Sequence, residues 1–173
     1  MSDSTACYTE YDWSGEQVFA LTRCSTEGDN IVSMRVKFAL LGDYAIIASD
    51  KKISVMGLFD AINAPVLPFQ IPAMFLVVGF EGESTEVDHD FALETQLWAE
   101  DGERVFEHSK TFKFPPPNRA GGKSGHNEIL SLYGFPIKAA GDYAFVIMVD
   151  GREEARVPLR VNEPPAGASG VGQ

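Results

Sequence analysis

Three histidines are the first residues of this chain that could do chemistry: His89, His108 and His126. A metal site needs imidazole, thiolate or carboxylate ligands at recognisable spacings, and no His-x-x-x-His or cysteine cluster accompanies them. Loops could still gather His89, His126 and Asp88 into one ligand set. The plainer reading, which is favoured, is three ordinary strand or surface histidines. The segment Gly125-His126-Asn127-Glu128 places His126 and Glu128 on one side of an extended strand. An imidazole beside a carboxylate is the arrangement of a general acid–base pair. It is equally the arrangement of an exposed strand edge, and that reading is preferred. A nucleophile needs a base within hydrogen-bond reach. There is no Gly-x-Ser-x-Gly, and Cys7 and Cys24 both lie before the patterned part of the chain. The run GGKSG at 121–125 has neither the spacing of a phosphate-binding loop nor a helix pattern after it.

Acidic loops are the second place to look. Glu86, Asp88 and Asp90 form one group, and Glu100, Asp101 and Glu103 another. Calcium sites on sandwich edges draw oxygen ligands from such loops. The spacing of an EF-hand is missing, and solvated turns are the preferred reading. Trp98 differs. In LETQLWAED its parity matches Glu94 and Gln96, not Leu93 and Leu97, which puts it on the more open face of a strand. An exposed Trp anchors a sugar or a protein partner. Trp98, Asp88, Asp90 and His126 are therefore the candidate binding residues, with no catalytic, cofactor or metal residue assigned.

The elements that must position these residues read as strands. Val36, Phe38 and Leu40 begin the rhythm, and DYAIIA follows as a second extended piece. SDKK is a turn, and ISVMGLF is a strand with apolar residues on both sides, which suggests an interior position. Within it Gly57 marks a bulge or a close backbone approach. FDAINA has the look of a single helical turn. Pro65, Pro68 and Pro72 argue against a central strand there and for a crossing segment. MFLVVGFEG is the next strand. Residues 90–114 form a hairpin turning at Asp101-Gly102. PPPNRAGGKSG is irregular, and HNEILSLYGFPI is a strand with a bend. Tyr143, Phe145, Ile147 and Val149 alternate, turn at Asp150-Gly151, and return through Val157, Leu159 and Val161. Pro158 marks that last strand as an edge or a bulge.

Seven to nine strands without a long helical stripe predict an antiparallel β-sandwich, immunoglobulin-like in general shape. Tyr143, in Gly-Asp-Tyr, stands where that architecture places its tyrosine corner. The Cys–Trp–Cys pattern of true immunoglobulin domains is absent. Residues 1–33 are polar and poorly patterned. They read as an extension, or as a start placed too early with Met34 as the initiator. Residues 34–162 form the sandwich and 163–173 a flexible tail.

A chain of 173 residues, 45% of them hydrophobic and 12 of them Phe, can supply the core of one such domain. The formal net charge of -11 should repel a nucleic-acid backbone and an anionic membrane. No run of Lys and Arg along the sequence offsets it, so neither partner is expected. No window approaches a membrane span. The first residues lack the basic and apolar regions of a secretory signal, and two cysteines are not a disulfide scaffold. A cytoplasmic setting is expected.

The run ALLGDYAIIASDKKISVMGLFDAINAPVLPFQIPAMFLVVGFEG resembles the opening of a family of small uncharacterised bacterial proteins. Its members follow A-x-x-x-D-x-A and then K-[LI]-[ST]-V-x-G-x-F-D. The matching positions are Ala39, Asp43, Ala45, Lys52, Ile53, Ser54, Val55, Gly57, Phe59 and Asp60. Gly42 stands where such proteins often carry Cys. The resemblance spans about residues 35–161. It implies a compact domain of unknown function, with no catalytic residues to carry over.

The function expected is a non-enzymatic binding or accessory module, with a protein partner and no cofactor. Its oligomeric state is left open. The alternatives are a carbohydrate- or calcium-binding sandwich built on Trp98 or the acidic loops, and, further off, a hydrolase using His126 and Glu128.

Overall fold

The computed structural model describes residues 34–163, together with two short strands, β1 (Tyr8–Thr9) and β2 (Ala20–Leu21). Contacts divide the chain into two units, 1–32 and 33–173. In the first, β1 and β2 pair antiparallel. The expectations for the rest of residues 1–33, for Cys7 and Cys24, and for the tail beyond 163 fall outside the described residues.

The second unit is an antiparallel β-sandwich, immunoglobulin-like in general shape. Sheet one has the order β4 (Ile53–Phe59), β3 (Arg35–Ile47), β6 (Phe69–Gly82), β9 (Ser124–Ile137). Sheet two has the order β5 (Ala61–Asn63), β11 (Arg152–Asn162), β10 (Gly141–Val149), β7 (Phe91–Ala99), β8 (Arg104–Phe112). Among the described residues only the β5–β11 pair is parallel. Alternation decides what lies between the sheets: Met74, Leu76 and Phe80 from β6 against Phe91, Leu93 and Leu97 from β7 and Phe145 and Ile147 from β10, all buried. Rings close the layer, with Phe80 stacked on Phe112 at 4.9 Å and Phe106 edge-on to Phe135 at 5.7 Å. Beside that core, the Tyr143 hydroxyl donates to the Ala139 carbonyl at 2.8 Å, four residues upstream. That is the hydrogen bond a tyrosine corner makes.

Several expectations change. Residues 35–47 form one continuous 13-residue strand, with the change of direction after Gly42 falling inside it, not between two strands. FDAINA contributes β5, not a helical turn, because its residues 61–63 pair alongside Arg160–Asn162. The crossing segment is shorter than three prolines suggested, since Pro72 lies inside β6. It is tolerated because the position opposite, Gly134, has φ +59 and the ladder skips that pair, while β3 no longer flanks β6 there. Pro158 does sit on an edge: β11 gains its outer neighbour only from Arg160 onward.

The β3–β4 hairpin does not continue the sheet. Ala45, Ile53 and Val55 pack on Phe75 and Val77 of β6, together with Phe38 and Leu40 of their own sheet. Val55 lies over Gly42. Ile47, at the tip, shares a hollow with Asn127, whose register partner Gly79 pairs with Phe38, nine residues back along β3. Strand β3 therefore doubles back, and the hairpin forms a flap over the outer face of sheet one. The fold falls at Asp43 and Gly57, where Gly57 has φ +63 and backs onto the Asp43 carboxylate with no space for a Cβ. ISVMGLF is thus a close backbone approach, as its Gly suggested. It is not an interior strand: one side covers sheet one and the other meets solvent.

Candidate functional site

Strand β9 is one edge of sheet one and β8 one edge of sheet two, and their inward residues face each other. His126 and Glu128 come from β9, and Lys110 from β8. Lys110 Nζ donates to Glu128 Oε2 at 2.8 Å, and His126 Nε2 lies 3.4 Å from the same oxygen. All three side chains are half-buried or better. Burial opposes the Glu128 charge, yet the bonds from His126 and Lys110 outweigh it and hold the carboxyl below the ordinary glutamate range. His126 is seated by the Phe112 ring, stacked at 4.5 Å. His126 and Glu128 do share one side of β9, but that side faces inward and is part-buried, not the exposed strand edge the sequence suggested, and Glu128 is an ionised carboxylate held by two partners. The neighbouring hydroxyl, that of Ser124, is buried and donates to the Pro115 carbonyl.

From His126 the site opens into a hollow of ≈ 690 Å³. Its walls are the flap tip (Ile47, Lys51), the proline loop from Phe114 to Asn118, and the start of β9 from Lys123 to Asn127, with Lys113 beside them. Lys123 reaches Glu81 at 3.3 Å and Glu83 at 3.2 Å, and Glu81 also holds Arg35 and Lys37. Arg119 lines an adjoining recess with Lys123. Cations from three stretches, the start of β3 (Arg35, Lys37), the flap tip (Lys51) and the 113–123 connection (Lys113, Arg119, Lys123), thus gather around one corner of an acidic chain. The sequence does not show the cluster whole, because residues 35–37, 51 and 113–123 lie far apart along the chain.

The other predicted residues lie apart. His89 Nε2 is 3.2 Å from Asp150 Oδ2, and its ring meets Phe91 at 4.5 Å. Phe91 stacks on Phe112, and Phe112 on His126. Two phenyl rings therefore stand between the two histidines, and the set His89, His126 and Asp88 does not converge. Among the described residues no three His, Cys, Asp or Glu side chains are placed to hold a metal. Asp90 pairs with Lys113 at 3.1 Å, and Asp88 is exposed. Glu86 is buried, accepting from the Met34 and Glu83 N–H groups, so it anchors the start of β3. Asp101 caps its own turn through the Glu103 N–H. His108 is exposed on β8. Trp98 lies on the outward face of β7, as its parity predicts, but it is only half open. Its Nε1 donates to Gln96 Oε1 at 3.0 Å, and Arg104 sits 5.9 Å from its ring.

The surface that sequence reasoning missed is the flap's own outward side. Tyr44, Ile46, Met56 and Leu58 are exposed on the flap strands; Tyr44, beside the bend, also meets the buried Phe75 ring edge-on at 5.6 Å, as Tyr133 of β9 does at 5.7 Å. The signal was present as apolar residues on both sides of ISVMGLF, but it reads as double burial unless the fold-back is known.

Two solved structures are similar to this chain at low TM-score. One is the alkylpurine DNA glycosylase of Pseudomonas fluorescens, bound to DNA containing an abasic-site analogue: TM-score 0.44, 8% identity, 76% of this chain and 31% of that one. The chain thus spans about a third of the glycosylase's length. The other is an immunoglobulin-like protein from Pseudomonas aeruginosa: TM-score 0.35, 13% identity, 78% of this chain and 100% of that one. No curated protein matches the sequence. A family profile does match, over residues 37–162, which include both sheets and the flap, and the chain belongs to that family of unknown function, DUF6941.

Proposed function

We propose that this chain is a non-enzymatic module that binds another protein through the outward face of the β3–β4 flap. The observation that carries this is exposure. On the flap Met56 and Leu58 are each 64% exposed, Tyr44 48% and Ile46 47%, and Tyr133 on β9 of sheet one is 69% exposed. Single exposed apolar residues are ordinary, but several large ones on one side of a domain mark a contact surface. Aromatic and Met side chains are also the residues enriched in interface cores. The net charge of -11 favours a partner with basic groups around its own apolar contact.

The test is quantitative capture of partners by the full chain, comparing the wild type with Met56→Ser/Leu58→Ser and with Trp98→Ala. Both flap residues point to solvent, so the double variant should keep the wild-type melting temperature. The reading requires a stoichiometric partner that the flap variant loses and Trp98→Ala retains. Capture undiminished by the flap variant would overturn it, and loss with Trp98→Ala alone would move the contact to the outer face of sheet two.

A further inference from the structure

The hollow beneath the flap tip has a charge opposite to that of the chain. Lys51, Lys113, Lys123 and His126 line it, and no Asp or Glu does. Arg119 adds a fifth basic side chain from the adjoining recess. The chain as a whole carries 25 acidic residues against 14 Lys and Arg. Some of the local charge is balanced, Lys113 by Asp90 and Lys123 by Glu81 and Glu83. Glu81, however, is shared with Arg35 and Lys37. Among the described residues, Lys51 and Arg119 form no ion pair. A concavity lined by one sign of charge focuses the field and raises the local concentration of the opposite ion. The walls also offer apolar surface, from Ile47 and the run Phe114 to Pro117. A volume of ≈ 690 Å³ lies within the range of small-molecule sites.

We propose that this hollow binds a small organic molecule carrying phosphate or carboxylate groups, with Lys51, Lys113, Arg119 and Lys123 supplying the cationic contacts and the proline loop the apolar one. Lys51 comes from the flap tip, and Arg119 and Lys123 from the loop below it. The ligand therefore bridges the two and ties the flap down.

The experiment uses the full chain with tripolyphosphate and citrate as separate probes, by titration calorimetry and melting temperature, against sodium chloride at matched ionic strength. Lys51 has φ +67, so Lys51→Gly removes its charge while relieving the backbone. It is paired with Arg119→Ala in the exposed loop. Lys138→Ala/Arg160→Ala makes the same change of net charge at the other end of β9, beside Asp142 and Glu103. Saturable binding of one probe should weaken about tenfold or more in the first variant, the scale of one lost charge-assisted hydrogen bond, and hold in the second. The probe that binds decides between phosphate and carboxylate. No saturation by either probe above the chloride control, or equal weakening in both variants, would overturn the site.

Discussion

Val55 Cγ1 stands 2.7 Å from the point where a side chain on Gly42 would begin. The flap can close on sheet one only because Gly42 leaves that space. Gly42→Ala should push Val55 outward or strain the Met56 carbonyl, which lies 3.1 Å from the same point. Overpacking of this kind costs about 1–3 kcal/mol. Denaturant unfolding should report that loss, and hydrogen exchange should locate it, with the amides of Ile53 to Met56 exchanging faster while those of β10 do not.

Gly134→Ala separates strain from crowding. Gly134 has φ +59 with nothing within reach of an added Cβ. The cost should be about 1 kcal/mol from backbone conformation alone. Denaturant unfolding should show it without faster exchange in the flap.

Two glutamates should give stability opposite pH dependences. The Glu128 carboxyl is held below its ordinary range, so its stabilisation is complete above the unfolded value near about 4.3 and is lost as pH falls through the folded one. Glu154 is shifted the other way, because burial outweighs the nearby Arg152. Its neutral form is favoured, so its contribution is present at low pH and lost as pH rises through the folded value. Unfolding at neutral pH should show Glu128→Gln less stable than the wild type and Glu154→Gln more stable. Below pH 4 both differences should shrink.

Tyr143→Phe removes the hydroxyl that donates to the Ala139 carbonyl. Tyr143 is buried, so the carbonyl loses its partner where water enters poorly. The loss should be about 1 kcal/mol, measured by urea unfolding with an unchanged slope.

Phe112→Ala reaches the site through packing. The ring stacks on Phe80, Phe91 and His126 and is buried. Its loss should cost about 3–5 kcal/mol and release His126, seen as a changed imidazole resonance in NMR.

The pairing of His126 with Glu128 was legible in the sequence, because strand parity alone places them on one side. The outward aspect of Trp98 followed from the same rule, as did the hairpin at Asp101-Gly102. Lys110 was not legible as their partner. It joins them through the approach of two edges from different sheets. FDAINA reads locally as a helical turn, and pairing beside β11 overrode that reading.

Alternation, turn residues and the apolar count act over a few neighbours, so the sequence by itself determined most of the strands, the inward faces of β7 and β10, and the sandwich class. Tertiary structure decided the rest, because it turned on contacts between distant segments. Gly42 had to meet Val55 before the hairpin became a flap with an exposed apolar side. Lys51 of the flap tip had to be brought over Lys113, Arg119 and Lys123 of the β8–β9 connection before an acidic chain acquired a basic hollow.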